Sequence, residues 1–357
     1  MYKPVIDYIR KVYNAPEGFV PLHAPYFGGN EKKYLADTID STFVSSVGAY
    51  VNRFEDMMAE ITGAKYAVAT SNGTVALQLA LVVAGVKAGD EVITQPLTFI
   101  ATANAIAHSN ATPVFIDVDK DTMGMSPDAL EDFLKENATV RDGAAYNNTT
   151  GKRIAACVPM HTFGFPCRTD RIKGQDTGTC GLLGTFSFHG NKTVSCGGGG
   201  AIVTNDEALA KHAKHISTTA KIPHPWEFAH DEIGYNFRLP NLNAALACAQ
   251  LEQLDGILQN KRDTAALYEE YFKGTDIGFV SEMEGSKANY WLNCIVLNGI
   301  DERNAFLEAT NGAAVMTRPI WKLTNKLDMY KHCQHGDLSN SLWLEDRIVN
   351  IPSSYRP

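Results

Sequence analysis

Gly184–Thr204 reads GTFSFHGNKTVSCGGGGAIVT, and this stretch decides the fold predicted for the chain. An apolar run enters at Phe186, another leaves at Ile202, and a lone lysine, Lys192, stands between them beside four consecutive glycines. The pattern predicts two strands joined by a rigid turn, which suits a lysine that attacks one carbonyl with a lowered pKa. The glycines would let the backbone approach a flat ligand. A surface hairpin with a solvated lysine is the alternative.

A second segment, Tyr66–Leu81, reads YAVATSNGTVALQLAL and predicts a strand, a tight turn and a helix. Gly73 and Thr74 fall at the predicted helix start. Free N–H groups and the positive end of the helix dipole make such a start an anion site, and the threonine hydroxyl adds a donor. The alternative is an ordinary N-cap supplied by Ser71 or Asn72.

Strand and helix signals alternate through the first two-thirds of the 357 residues. Residues 113–119 and 153–160 read as buried strands, Ser126 before Pro127 predicts a helix start between them, and Asn205 is predicted to cap a later helix. Such alternation predicts an α/β fold with a mostly parallel sheet covered on both faces. Ligands of such sheets bind beyond the carboxyl ends of the strands. The residues expected there are Thr74, Phe99, His161 and Lys192.

The last third has a different organisation. A helical run over about residues 241–273 leads into a strand over 290–297 and a helix over 302–310, which together predict a smaller α+β domain. The predicted division is a helical extension over residues 1–20, a large domain over 21–250 and a small domain over 251–357.

Composition excludes several classes of partner. The formal net charge is -8, from 32 basic and 40 acidic residues, and no basic tract is present, so nucleic acid is not an expected partner. No apolar stretch is long enough for a bilayer, and the N-terminal residues lack a secretion signal. Seven cysteines are scattered without CxxC pairs or metal-ligand spacing, which favours reduced thiols, a cytoplasmic location and no metal site.

Together these segments resemble the DegT/DnrJ/EryC1/StrS family of pyridoxal-phosphate sugar aminotransferases. Further stretches carry the resemblance in the same order along the chain: SSVG at 45–48, EVITQPLTFIATAN at 91–104, GYNFRLPN at 234–241 and MTRPIW at 316–321. The last of these, with the SFHGNK turn, is most like members that aminate C4 of UDP-linked 4-keto-6-deoxy-N-acetylhexosamines. Amination at C3 of a dTDP-sugar is the alternative within the family.

The resemblance implies a fold type I transferase in which Lys192 holds pyridoxal 5'-phosphate as a Schiff base, L-glutamate gives the amino group, and the freed lysine moves protons. The family's dehydratase branch has histidine in place of this lysine, so transamination is favoured. The resemblance also implies a homodimer with shared active sites, in which Asn236 reaches the cofactor phosphate of the partner subunit. The implied cofactor-binding residues are Gly73, Thr74, Phe99, Ser187 and Asn236, and the implied substrate-binding residues are Ser46, Val47, Arg318 and Trp321.

One stretch departs from the family. After HTFGFPCRTDRI at 161–172, the family has a helix and then a strand whose acidic residue pairs with the pyridine nitrogen. Here Lys173 follows Ile172 at once, although a helix-plus-strand crossover needs at least about 10–12 residues. Neither Asp170 nor Asp176 lies in the right segment, so the nitrogen partner is not assigned.

Three explanations compete for this departure. The natural chain has further residues here, or a deletion removed them, or the protein is a natural variant that binds cofactor or nucleotide sugar without catalysis. The first is favoured because loss of an internal strand would leave buried backbone groups unpaired. It predicts that the Cα atoms of Ile172 and Lys173 lie much farther apart than the roughly 3.8 Å of a trans peptide.

Overall fold

Residues 2–169 and 179–356 are described in a computed structural model of the chain. Asp170, Asp176 and the predicted discontinuity between Ile172 and Lys173 lie outside these ranges. The helices of the described residues are α1 (Lys3–Val12), α2 (Glu31–Asp40), α3 (Ala49–Thr62), α4 (Gly73–Val83), α5 (Ala101–His108), α6 (Pro127–Asn137), α7 (Glu207–Ser217), α8 (Asn241–Leu251), α9 (Leu254–Phe272), α10 (Ile300–Gly312) and α11 (Ser339–Glu345). The strands are β1 (Tyr66–Thr70), β2 (Glu91–Thr94), β3 (Thr112–Phe115), β4 (Ala138–Arg141), β5 (Ala144–Asn147), β6 (Arg153–Val158), β7 (Gly184–Ser187), β8 (Gly200–Thr204), β9 (Gly278–Phe279), β10 (Asn293–Val296), β11 (Arg318–Pro319) and β12 (Ile348–Ile351).

The lysine turn belongs to a three-stranded antiparallel sheet with the order β1-β8-β7. Side chains alternate between its two faces. Val68 and Ile202 pack against α4 and α7, whereas Ala69 and Ala201 face α3 and α8. The predicted covering of both faces is therefore confirmed for this sheet.

A second sheet has the order β3-β2-β6-β5-β4. Its first three strands pair in parallel, with Ile93 opposite Val114 and Cys157. Val92 packs against α5 on one face, and Ile93 packs against Leu130 of α6 on the other. A connection between parallel strands needs a helix, and α5 supplies it between β2 and β3.

The α/β fold class is confirmed, but parallel pairing is less extensive than the sequence predicts. The two sheets are not hydrogen-bonded to each other within the described residues, and β7 is an edge strand there. In chain order the boundary falls between β6 and β7, which is where the crossover of the related family is absent from the sequence. The antiparallel hairpin of β4 and β5 was not predicted. Asp142 and Gly143 at its tip have φ of 50° and 75°, as a two-residue hairpin turn requires.

The C-terminal third builds a four-stranded sheet with the order β11-β12-β10-β9. Helix α1 packs here, because Val5 and Ile9 share a core with Tyr268 of α9 and Ile295 of β10. The domain limits at residues 20 and 250 stay predictions. None of the helices in the two described ranges has the length and apolar character that a bilayer span requires.

Three local predictions need correction. The run over 241–273 is two helices, which meet at Glu252 and Gln253. The strand over 290–297 is limited to Asn293–Val296. Asn205 does not cap α7: its side chain accepts from the Lys65 N–H at 2.9 Å, and Asp206 caps the helix. The carboxylate of Asp206 is the stronger acceptor for the free N–H groups of the first turn.

Candidate active site

The predicted turn places Lys192 beyond the end of β7. Phe188 continues the ladder for one residue, donating its N–H to the Gly199 carbonyl at 2.8 Å and accepting from the Cys196 N–H at 3.0 Å. The Lys192 N–H donates to the His189 carbonyl at 2.8 Å. These bonds fix the lysine backbone at the base of the turn.

The amine of Lys192 points toward the C-terminal third of the chain. Its Nζ lies 3.4 Å from the ring centroid of Trp291, whose Nε1–H donates to the Asn191 carbonyl at 2.6 Å. Burial lowers the pKa of Lys192 to about 8, because the charged ammonium loses water. The neutral, nucleophilic fraction of this amine near neutral pH is therefore much larger than that of a lysine in water, although the ammonium form still predominates.

Gly73 and Ser187 meet where α4 starts beside β7. A Cβ atom on Gly73 would lie 2.6 Å from the Ser187 Cβ and 3.0 Å from its Oγ, so only glycine leaves room there. Asn72 caps the helix by accepting from the Val75 N–H at 3.0 Å. The N–H groups of Gly73 and Thr74 begin the helix and have no acceptor within it. Together with the Ser187 hydroxyl, they form a cradle suited to a phosphate group.

Gly200, the last of the four consecutive glycines, is required because there is no space for a side chain at that position. A Cβ on Gly200, opposite Ser187 in the ladder, would lie 2.5 Å from the Asn72 carbonyl oxygen and 2.6 Å from the Thr70 Oγ1. The strand that follows the lysine turn thus passes directly under the cap of α4. This close approach holds the turn and the phosphate cradle together.

Aromatic side chains form a wall above the lysine. Phe99, which precedes α5, is 51% exposed, and its ring centroid lies 6.0 Å from that of Trp321. Trp321 lies 6.4 Å from Trp291 and 4.5 Å from Phe163. The structure therefore links Phe99 and Trp321, through Trp291, to Lys192.

Ser46 and Val47 lie in a different place, an open groove of about 650 Å³. We call it the basic groove; six of its lining residues are Ser46, Val47, Thr218, Lys221, His224 and Arg238. Arg238 donates from Nε to the Oδ1 of Asn236 at 2.8 Å, which places Asn236 beside this groove. The loop that carries Ser46 is held by Asn241, whose N–H donates to the Ser45 carbonyl at 2.6 Å.

Arg318 belongs to neither group. It lies on the short strand β11, is exposed, and donates from Nη1 to the Asn311 Oδ1 at 3.0 Å and to the Thr317 carbonyl at 2.9 Å. The chain folds Trp321 toward the aromatic wall only three residues later. A role for Arg318 in binding substrate stays a prediction.

Three residues near the lysine were not predicted from sequence: Trp291, Lys261 and His23. Lys261 is 2% exposed, and its Nζ donates to the carbonyls of Ser353 at 2.6 Å and Trp291 at 3.2 Å. The buried Nδ1 of His23 has no hydrogen-bond partner in the described residues. Burial is the main cause of a lowered pKa in His23, and the charges of Lys261 and Lys192 add to it. The only sequence feature that could have indicated any of the three is the position of Trp291 at the start of the apolar run over residues 291–297.

The site fits pyridoxal phosphate in two of three respects. The buried amine of Lys192 suits the aldehyde, and the cradle of Gly73 and Ser187 suits the phosphate. The acidic residues that follow β3 are engaged elsewhere. Asp117 accepts from the N–H and hydroxyl of Ser341, while Asp119 and Asp121 bind the guanidinium of Arg168. No residue of the two described ranges is assigned as the partner of the ring nitrogen.

The chain is similar to known proteins over most of its length. The model of the DegT/DnrJ/EryC1/StrS aminotransferase family matches residues 25–173 and 169–356. The match is divided at the point where the sequence lacks the crossover. Curated relatives include GDP-perosamine synthase of Escherichia coli O157:H7, 34% identical with 94% of this chain and 93% of that protein covered. GDP-perosamine synthase of Vibrio cholerae is 32% identical, with 94% of each chain covered.

A solved structure gives the same fold. E. coli GDP-4-keto-6-deoxy-D-mannose-3-dehydratase, crystallised with bound hydrated pyridoxal phosphate, superimposes with a TM-score of 0.80 at 21% identity. The superposition covers 94% of this chain and 95% of that chain.

Proposed function

The chain belongs to the DegT/DnrJ/EryC1/StrS aminotransferase family, and from that premise we propose that it moves an amino group from L-glutamate to the C4 ketone of a UDP-linked 4-keto-6-deoxy-N-acetylhexosamine. As in its relatives, the enzyme class is a pyridoxal phosphate-dependent sugar aminotransferase. The product would supply bacterial surface polysaccharides. The observation that carries the proposal is the buried amine of Lys192 in the turn that follows β7, whose last residue, Ser187, meets Gly73 at the start of α4.

Lys192 would act at two atoms. Its Nζ would bond to the aldehyde carbon of the cofactor with loss of water, and after displacement by the amino donor it would move the proton from the donor's α-carbon to the cofactor. A pKa of about 8 suits both tasks, because a base is most effective when its pKa lies near the working pH. Pyridoxal phosphate, when bound, supplies an electron sink for these bond changes.

The remaining residues would position the groups that react. Gly73, Thr74 and Ser187 would hold the cofactor phosphate at the positive end of the α4 dipole. Phe99 would pack on the pyridine face of the cofactor. Its ring is half exposed and lies next to the ring of Trp321, so one ring face is free for this contact. Trp321 would exclude water from the sugar side.

We further propose a homodimer in which Asn236 of one chain reaches the cofactor phosphate of the other. Asn236 is exposed and lies beside the basic groove, where Val47 is 70% exposed. Trp226 and Phe228, on the same loop, are 76% and 80% exposed. Exposed large aromatic side chains are enriched at protein interfaces. A second copy would cover these apolar side chains and bring the basic groove to the partner's lysine.

The basic groove would then receive the nucleotide diphosphate. Lys221 and Arg238 provide positive charge there, and a guanidinium matches phosphate oxygens. Arg318 is the other candidate for this contact, from the implied substrate-binding set. A cytoplasmic location is proposed with this function, because Cys157, Cys196, Cys248, Cys294 and Cys333 are free thiols.

GDP-linked keto-sugars are a second candidate class of substrate, because two relatives above 30% identity are GDP-perosamine synthases. A coupled assay with L-glutamate and UDP-, GDP- and dTDP-linked keto-sugars tests the proposal. The expected result is turnover of the UDP-linked 4-keto sugar above the others. Preference for the GDP-linked sugar, or amination at C3 of the dTDP-linked sugar, would replace the proposed substrate. A protein of intact mass that retains no near-visible absorbance after free pyridoxal phosphate has been removed would overturn the whole proposal.

A further inference from the structure

We propose that Trp291 is a positioning residue of this site: its ring face seats the amine of Lys192, and its indole N–H holds the turn that carries the lysine. The inference deepens the proposed function and rests on it, because it assumes that Lys192 is the lysine that binds the cofactor. Trp291 comes from the C-terminal third of the chain and Lys192 from the three-stranded sheet.

The amine contact comes first. The Nζ of Lys192 lies 3.4 Å from the ring centroid of Trp291, within the range of a cation–π interaction. The indole ring is the strongest of the aromatic rings in this respect, and the contact is stronger where water is excluded. Within the described residues, this amine has neither a carboxylate nor a hydrogen-bond acceptor as its partner. The ring face is therefore what fixes its direction.

The same side chain also grips the turn. The Nε1–H of Trp291 donates to the Asn191 carbonyl at 2.6 Å. Asn191 directly precedes Lys192, whose own N–H donates to His189 at 2.8 Å. The turn is thus held by one hydrogen bond within itself and by another from Trp291, in the C-terminal third of the chain.

Trp291 is itself held firmly. Its N–H donates to the Asn289 Oδ1 at 2.8 Å, and its carbonyl accepts from the buried Nζ of Lys261 at 3.2 Å. The Asn289 N–H donates in turn to the Gly164 carbonyl at 3.1 Å. The tryptophan backbone is therefore anchored on two sides before its ring meets the lysine.

The loop beneath this anchor stores strain. Phe163 has a φ of 54°, in the left-handed region that a phenylalanine rarely adopts. A Cβ on Gly164 would collide with the side chain of Asn289. Residues in such conformations persist only where surrounding contacts determine them, and they concentrate at functional sites. The strained loop places its carbonyls where the Trp291 segment docks.

Two further buried bases lie in this region: Lys261 donates to the Trp291 carbonyl, and His23 feels the charges of both Lys261 and Lys192. Burial lowers the pKa of Lys261 to about 7, and His23 carries a lowered pKa for the same main reason. Both can therefore be neutral near neutral pH, and a neutral His23 does not oppose the charge of Lys192. The ring of Trp291 favours the ammonium form of Lys192.

The experiment compares Trp291→Phe with Trp291→Leu in the cofactor-free protein. Phenylalanine keeps a ring face but loses the indole N–H, whereas leucine loses both. We expect Lys192 to titrate about half to one pH unit lower in the leucine variant than in the phenylalanine variant, because only the latter keeps an aromatic face for the ammonium. The titration is followed by ¹³C NMR of lysine labelled at the ε-carbon, with Lys192→Arg used for assignment.

The second readout is hydrogen exchange at the Lys192 amide. We expect both variants to exchange there roughly fivefold to tenfold faster than the native protein, because both lose the bond to Asn191. Trp343→Leu is the matched control: the Nζ of Lys120 lies 4.8 Å from that ring, away from this turn. It should leave both readouts at Lys192 unchanged, and so it separates a general loss of packing from the specific effect.

Equal titration of Lys192 in the two Trp291 variants would overturn the seat for the amine. Native exchange rates at Lys192 in both would overturn the grip on the turn. Neither measurement involves amino donor or sugar, so a failure here differs from a failure of the proposed function. That second failure would appear as inactivity of the native protein with every keto-sugar.

Discussion

The amine of Lys192 combines burial with chemical availability. Removal of water lowers its pKa to about 8, so the neutral amine is populated, and among the described residues no carboxylate is paired with it. Lys192→Ala is therefore expected to abolish covalent attachment of pyridoxal phosphate and turnover, while the fold stays intact. Lys211→Ala, at an exposed pair with Glu207, is the control. Reduction with borohydride and peptide mass spectrometry measure attachment, and residual transamination by Lys192→Ala would refute the assignment.

The direction of the pKa shift gives a pH dependence. A lysine with a lowered pKa loses its proton as pH rises through about 8, so the nucleophilic fraction grows over that interval. The rate at which the cofactor-free protein attaches pyridoxal phosphate should increase through pH 8 and level off above it. Stopped-flow absorbance measures this rate. A rate that keeps rising up to pH 10.5 would mean that the amine is fully solvated.

Position 73 requires glycine because a side chain there would collide with Ser187, and not because its backbone has a positive φ. A Cβ there would lie 2.6 Å from the Ser187 Cβ. Gly73→Ala should lower the free energy of unfolding by about 1–3 kcal/mol through overpacking and weaken cofactor binding. Gly256→Ala, in α9 where a Cβ meets open space, should instead raise stability by up to about 1 kcal/mol. Urea unfolding and cofactor titration test the pair, and native cofactor affinity in Gly73→Ala would contradict the cradle.

Site residues could be predicted from the sequence where a short motif contains them. Lys192, Gly73 and Ser187 were predicted as site residues; the structure brings Gly73 and Ser187 close together and places Lys192 in the turn after β7. Their roles stay predictions. Trp291, Lys261 and His23 were not predicted, because their roles depend on contacts between segments about 70 to 170 residues apart. No local pattern records such a contact.

Among the elements, α7 shows how one carboxylate sets a helix start. Asp206 accepts from the N–H groups of Ala208 and Leu209 at 2.8 and 3.0 Å. Asp206→Ala should lower the free energy of unfolding by about 1 kcal/mol, the usual cost of a lost cap. It should also expose the first turn of α7 to hydrogen exchange.

The neighbouring Asn205→Ala is the matched control for this helix. Asn205 holds the Lys65 N–H at 2.9 Å and not the helix. Exchange in the first turn of α7 should stay native in that variant. Equal fraying in both would restore Asn205 as the cap.

Element prediction succeeded where the signal was periodic or capped, as in α4 and α6. It failed at the β4–β5 hairpin, although the dipeptide Asp142–Gly143 is a recognised hairpin signal. Each flanking strand is only four residues long, and β5 has no β-branched residue, which concealed the hairpin. Helix α8 was merged with α9 because no glycine or proline separates them, and only the geometry at Glu252 and Gln253 ends the first.

The whole molecule is expected to work as a pair. If Asn236 serves the partner's site, Asn236→Ala and Lys192→Ala should each be inactive alone. Mixed subunits would regain one complete site, and random pairing of equal amounts would return about a quarter of native activity. The measurement is turnover after the two variants are unfolded and refolded together. No recovery in mixtures that form heterodimers would place Asn236 in its own chain's site or outside both.

Fold class and enzyme family followed from an ordered set of motifs along most of the chain. The separation of β1, β7 and β8 from the parallel strands was not predicted, because a sequence does not show which strand edges are free to pair. The sequence does mark the location, because the crossover expected between β6 and β7 is absent there. The family match is divided at the same residues, 169–173.

The fluorescence of Trp291 should report whether pyridoxal phosphate is bound to Lys192. The indole ring of Trp291 lies 3.4 Å from the amine of Lys192. Pyridoxal phosphate bonded to that amine would absorb in the near-visible, and resonance transfer of excitation from the indole to it is efficient at such a short distance. Loading with pyridoxal phosphate should therefore quench ultraviolet-excited emission from Trp291. Occupancy of the lysine site can then be followed continuously, without a label and without a substrate.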